Sequence, residues 1–218
     1  MQKTINKKYI FNGNILEETK FREGCEYTKE TATAKDLREF IESAEYNGGY
    51  YIARYESTYA LDTGTIETSK AASKISSYFN YGPNGNGKLW NNITQINASK
   101  VCINTYFDAD SVESDLINSY AWDTARLFIQ ESGNTGYGNE RINSEIENTG
   151  TRNDEVCKIN DMGGNLQEYL TETTNNKNGI LMGAHGYNLN FLNEFNIDKK
   201  DEKTGFRMLL YLRVSYKK

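Results

Sequence analysis

Histidine occurs once in this 218-residue chain, at His185, and cysteine three times, at Cys25, Cys102 and Cys157. A single histidine cannot build a multi-histidine metal centre within one chain. Three scattered cysteines make neither a disulfide framework nor a zinc site, although a long-range pairing of two of them stays open. Basic charge is also short. The formal net charge is −5, the wrong sign for a chain whose task is to neutralise phosphates, and no nucleic-acid partner is expected. No run approaches the ~20 apolar residues of a membrane span, so no membrane insertion is expected. Met1-Gln2-Lys3 opens without an apolar signal core. The expectation is a protein that stays in the cytoplasm or leaves it by assembly or lysis rather than by secretion.

Aromatics, by contrast, are plentiful: 12% of the chain, including 16 tyrosines. Disordered chains are poor in aromatics, so this chain folds, with a polar, tyrosine-rich character that a coding bias toward Asn, Lys, Ile and Tyr would also produce. Tyrosine suits binding surfaces because it joins a rigid flat face to a polar tip. Residues 1–32 are charged and polar around one apolar patch, Tyr9-Ile10-Phe11, and read as an extension for attachment or as an edge strand. Residues 33–218 read as one domain. The spacing of Leu37, Phe40 and Ile41 behind Thr33 predicts a helix over 33–44, ended by Gly48-Gly49. Alternation predicts a strand over 50–55 and a last strand over 206–216. Pairing of those two would close the domain on its own ends. Helices are also predicted over 93–105 and 121–130, the latter with Trp122 as core, and long polar loops over 56–88 and 132–154. The pattern is α+β, with two main helices among small mixed or antiparallel sheets and many long loops.

Three segments carry a family resemblance. Ile159-Asn160-Asp161-Met162-Gly163-Gly164-Asn165-Leu166-Gln167-Glu168-Tyr169 resembles the signature of the formylglycine-generating enzyme (sulfatase-modifying factor) family, roughly Asp-Met-Ala-Gly-Asn-Val-Trp-Glu-Trp. Gly205-Phe206-Arg207 resembles that family's closing Gly-Phe-Arg, and Gly48-Gly49-Tyr50-Tyr51-Ile52-Ala53-Arg54-Tyr55-Glu56 its opening Gly-Gly-Phe-Tyr-Ile-Gly-Arg-Tyr-Glu. Lys88-Leu89-Trp90-Asn91-Asn92-Ile93-Thr94, Ser114-Asp115-Leu116 and Ala121-Trp122-Asp123 resemble a branch found in phages and prophages of Gram-positive bacteria. The resemblance implies a C-type-lectin-like fold. It also implies a calcium site at Asp161 and Glu168 (side chains) with Gly164 and Leu166 (main-chain oxygens), hard oxygen ligands of the kind calcium takes. The plainer reading is that the two carboxylates cap loop amides and no metal binds. The family's tryptophan pair is replaced by Gln167 and Tyr169.

The family's chemistry is not expected here. Its formylglycine-forming members hold Cu(I) on a late cysteine pair, and this chain has no cysteine after Cys157. Its iron-dependent relatives need several histidines. No catalytic residue is assigned. Gly82-Pro83-Asn84-Gly85-Asn86-Gly87-Lys88 has the spacing of a phosphate loop, but Leu89 stands where Ser or Thr should reach Mg²⁺. The expectation is a non-catalytic virion protein of a phage tail or other exposed structure. It would bind a host-surface glycan or protein, or neighbouring virion subunits, as a homo-oligomer. The stretch that replaces the cysteine pair supplies the candidate surface: His185, Tyr187, Asn188, Asn190 and Phe191. The alternatives are an enzyme of the same class with a rearranged site and a purely structural decoration module.

Overall fold

The computed structural model describes residues 7–11, 14–18, 37–59, 88–106, 109–134, 137, 146, 149, 155–174, 178–183 and 193–212. Near the start, β1 (Lys7–Phe11) and β2 (Asn14–Glu18) pair as an antiparallel hairpin of their own. The domain's first helix, α1 (Leu37–Asn47), runs beyond the predicted end at residue 44 and stops where Gly48 takes φ +75°, a left-handed conformation that costs glycine nothing.

A three-stranded antiparallel sheet organises the domain. Its centre is β11 (Met208–Leu212), flanked by β3 (Tyr51–Ile52) and β6 (Val112–Leu116). The predicted pairing of the early and late strands is therefore present, in shorter form. Strand alternation sends the two faces to different helices. Met208 and Leu116 pack with Ala98, Val101 and Cys102 of α2 (Gln95–Thr105). Leu209 and Tyr211 pack with Phe40 of α1 and with Trp122 and Ile129 of α3 (Ser119–Glu131). The Phe40 ring meets Tyr50, Tyr120 and Tyr211 at centroid distances of 4.9, 5.8 and 6.1 Å, tying α1 to the sheet and to α3. Both later helices carry side-chain caps. Thr94 accepts from the Asn97 N–H, and Asn118 from the Ala121 N–H.

A second sheet has the order β10 (Thr204–Phe206), β7 (Gln167–Thr174), β8 (Asn178–Met182), β9 (Asn193–Asn196). Strands β10 and β7 run parallel and the other pairs antiparallel. A two-stranded pair, β4 (Thr58–Tyr59) with β5 (Lys88–Leu89), lies outside both. The architecture is α+β, with small sheets and, among the described residues, three helices, one in each of the three segments where the sequence predicts a helix. The single last strand predicted over 206–216 is corrected. The chain leaves one sheet after Phe206 and enters the other at Met208, and Arg207 is the residue between.

Strand β7 bulges, its register with β8 shifting between Tyr169 and Thr173. The buried Gln95 Nε2 fills the irregularity by donating to the Leu170 and Glu172 carbonyls at 2.6 and 2.9 Å. Gly179 faces this amide, and a Cβ there would lie 2.8 Å from Gln95 Cδ. Gly179→Ala is accordingly expected to lower unfolding free energy by about 1–3 kcal/mol in urea titration, the usual cost of overpacking. In a Gln95→Ala background the same substitution should cost almost nothing further; an undiminished cost there would show that the Gln95 contact is not its cause.

A buried ion cluster as the candidate functional site

The segment 155–166 enters through a tight hairpin. Val156 and Ile159 exchange both backbone bonds at 2.9 Å, with Cys157 and Lys158 left-handed at φ 52° and 66°. Beyond it, Asp161 (φ 59°) and Asn165 (φ 62°) take the same conformation, which Asp and Asn accept more readily than most residues. These bends fold the loop over the start of β7 and bring its polar side chains inward.

They meet Arg207. The guanidinium places Nε and Nη2 on Glu168 Oε1 at 2.8 and 2.7 Å. It also donates Nη1 to the Ala53 carbonyl and Nη2 to the Asn160 carbonyl, each at 2.9 Å. The other Glu168 oxygen accepts Trp122 Nε1–H at 3.2 Å. Glu56 accepts the Leu166 N–H at 2.9 Å and Asn165 Nδ2–H at 2.6 Å. Thr149 donates its hydroxyl to Asp161 at 2.6 Å and accepts the Glu56 N–H at 3.2 Å. Arg207, Glu168, Asp161 and Glu56 are each at most 2% exposed.

Three carboxyl groups thus share one guanidinium away from water, and a buried charge must be paired or neutralised. Burial pushes the Glu56 carboxyl well above the usual carboxylate range, and the Asp161 and Glu168 charges add to the push against Arg207 and the Leu166 N–H. Burial also raises Glu168, with Arg207 opposing. Burial works against the Arg207 charge, but Glu168, Glu56 and Asp161 more than offset it.

Of the four residues that the resemblance implies as calcium ligands, Asp161 and Glu168 both fall in this cluster, and Leu166 contributes its N–H to Glu56. In the structure Glu168 is held through one oxygen by Arg207 and through the other by Trp122. Among the described residues, no group of three or more His, Cys, Asp or Glu side chains is placed to hold a metal. A loop amide is capped by Glu56, which accepts the Leu166 N–H and which the sequence shows only as the last residue of the opening segment. The candidate surface residues His185, Tyr187, Asn188, Asn190 and Phe191 lie outside the described residues, as do residues 82–87 of the glycine-rich loop. Cys102 and Cys157 are free thiols, and no helix among the described residues is long and apolar enough to cross a membrane.

A second buried carboxyl lies farther along β7. Glu172 accepts the Ser119 N–H through both oxygens, at 2.9 and 3.2 Å, where α3 begins. An anion suits that end of a helix, yet burial raises the Glu172 pKa against the Ser119 and Thr171 bonds that pull it down. The folded state therefore keeps a proton that the unfolded chain releases near the ordinary value of about 4.3. The stability this group contributes is complete below that value and is lost as pH rises through the raised folded value. Glu172→Gln should melt like wild type near pH 4 and show a growing advantage as the pH is raised from there toward neutrality, with part of the wild-type slope left from Glu56 and Glu168. A Tm difference that stays constant across that range would refute the assignment.

No protein-family model matches the chain, and no curated protein or solved structure matches it either.

Proposed function

We propose that this chain is a non-catalytic phage virion protein, from a tail or other exposed particle structure, built on a C-type-lectin-like domain of the formylglycine-generating-enzyme kind. It binds a host-surface glycan or protein, or neighbouring virion subunits. One observation supports the family reading above the rest. The three segments that carry the resemblance, 48–56, 159–169 and 205–207, are far apart in sequence and meet at one cluster through Ala53, Glu56, Asn160, Glu168 and Arg207. Such convergence is what a shared architecture requires of its signature residues. The loss of chemistry is argued from composition: no cysteine follows Cys157, and His185 is alone. The cluster itself is shut from solvent and has its guanidinium directed at backbone carbonyls and a carboxylate, an arrangement suited to holding segments together.

The stretch that matches the enzymes' cysteine pair, residues 179–188, begins on β8, and the candidate residues continue to Phe191, ahead of β9. Those strands are antiparallel neighbours, with Leu181 opposite Asn193 and Met182 opposite Glu168. Paired strands thus flank the candidate stretch in the sequence, and binding residues are commonly carried between such scaffold elements. The purified chain should bind Gram-positive cell envelopes or an arrayed envelope glycan saturably, and Tyr187→Ala should weaken that binding at least tenfold. Unchanged binding in the variant would sink the residue assignment. Absence of binding to any envelope would favour the decoration role, and tight copper binding with peptide-cysteine oxidation would favour a rearranged enzyme.

A further inference from the structure

The β1–β2 hairpin joins neither sheet of the domain; among the described residues it is a two-stranded sheet, with β1 approaching α3. A two-stranded antiparallel pair directs half of the backbone N–H and C=O groups of each strand outward. Such open edges pair readily with another strand, and a lone hairpin is marginal until it gains one or packs on a helix. The register adds a directional code. Lys7 stands opposite Glu18 and Lys8 opposite Glu17, so β1 is the basic strand and β2 the acidic one. The outer edge of β1 therefore meets the same charge match in the outer edge of β2 from a second copy as it meets in its own β2. Opposite charges across an antiparallel pair stabilise, and like charges oppose.

We propose that this hairpin is the subunit-joining element of a homo-oligomer, in which β1 of one copy pairs antiparallel with β2 of the next. The order β2-β1-β2-β1 then continues through successive copies with every lysine row between glutamate rows. The contact is heterologous, so the assembly is a closed ring when its rotation closes. The inference stands on the hairpin register and does not depend on the host-binding reading.

Light scattering on the size-separated full chain, at low ionic strength, tests it. Wild type should run as a multiple of the chain mass, and added salt should shift it toward monomer. Lys7→Glu with Lys8→Glu should run as monomer, and so should Glu17→Lys with Glu18→Lys. Combining all four reversals in one chain should restore the oligomer, because opposite charges then face each other again both within each hairpin and between copies. Unchanged melting temperatures in both variants would show that the domain is folded. A monomeric wild type, or variants that keep the wild-type mass, would overturn the proposal.

Discussion

Arg207→Leu is expected to cost about 3–5 kcal/mol of unfolding free energy, the range measured when one partner of a buried ion pair is removed. The physical reason is what remains. Glu168 loses both guanidinium bonds, and the Ala53 and Asn160 carbonyls lose their donors together. Three carboxyl groups are then left in the cluster without a cation. Lysine does not repair this, because one ammonium on a flexible stem cannot reproduce a planar fork that bonds three partners, Glu168 and the Ala53 and Asn160 carbonyls. Arg207→Lys should fall between wild type and Arg207→Leu. Adding Glu168→Gln to Arg207→Leu should recover part of the loss, since it removes the stranded charge while keeping an acceptor for Trp122. Urea titration of the four proteins measures all of this. A loss under about 0.5 kcal/mol for Arg207→Leu, the range of an ordinary surface change, would show that the cluster does not hold the fold.

Trp122→Ala is expected to cost about as much, 3–5 kcal/mol, by a different route. Trp122 is fully buried at the centre of the core between α3 and the sheet. Its truncation opens a cavity that the packed neighbours cannot fill. The indole N–H also closes the second oxygen of Glu168, and leaving that buried acceptor unsatisfied accounts for about 1–3 kcal/mol of the loss. Trp122→Phe separates the two effects, because it retains most of the volume and loses the donor. It should cost about 1–3 kcal/mol. Equal losses for the alanine and phenylalanine variants would assign the whole effect to the hydrogen bond and none to packing.

The elements that the sequence displays are those whose burial follows apolar spacing. Phe40 marks α1, Val101 and Cys102 mark α2, Trp122 and Ile129 mark α3, and the alternation around Leu209 and Tyr211 marks β11. Strands β7 to β9 are not legible this way. The interior of β7 is polar, with Glu168, Thr171, Glu172 and Thr173 all buried, so apolar alternation fails where bonding to distant groups takes over. Glu172 is accommodated inside by the Ser119 N–H where α3 begins and by the Thr171 hydroxyl. The division of the last strand at Arg207 is hidden for a similar reason. Its cause is a contact with Glu168, 39 residues back in the chain. Glu56 and Arg207 each stand at the end of a motif-bearing segment, and the signal that would have joined them is the demand of a buried acid for a base.

The virion assignment is tested most directly by mass spectrometry of purified phage particles, induced from cells that carry this gene and separated from soluble lysate. The account predicts the chain in the particle fraction at a fixed copy number and accessible to protease on intact particles. Its absence from particles, together with copper-dependent oxidation of a peptide cysteine by the purified protein, would contradict the account.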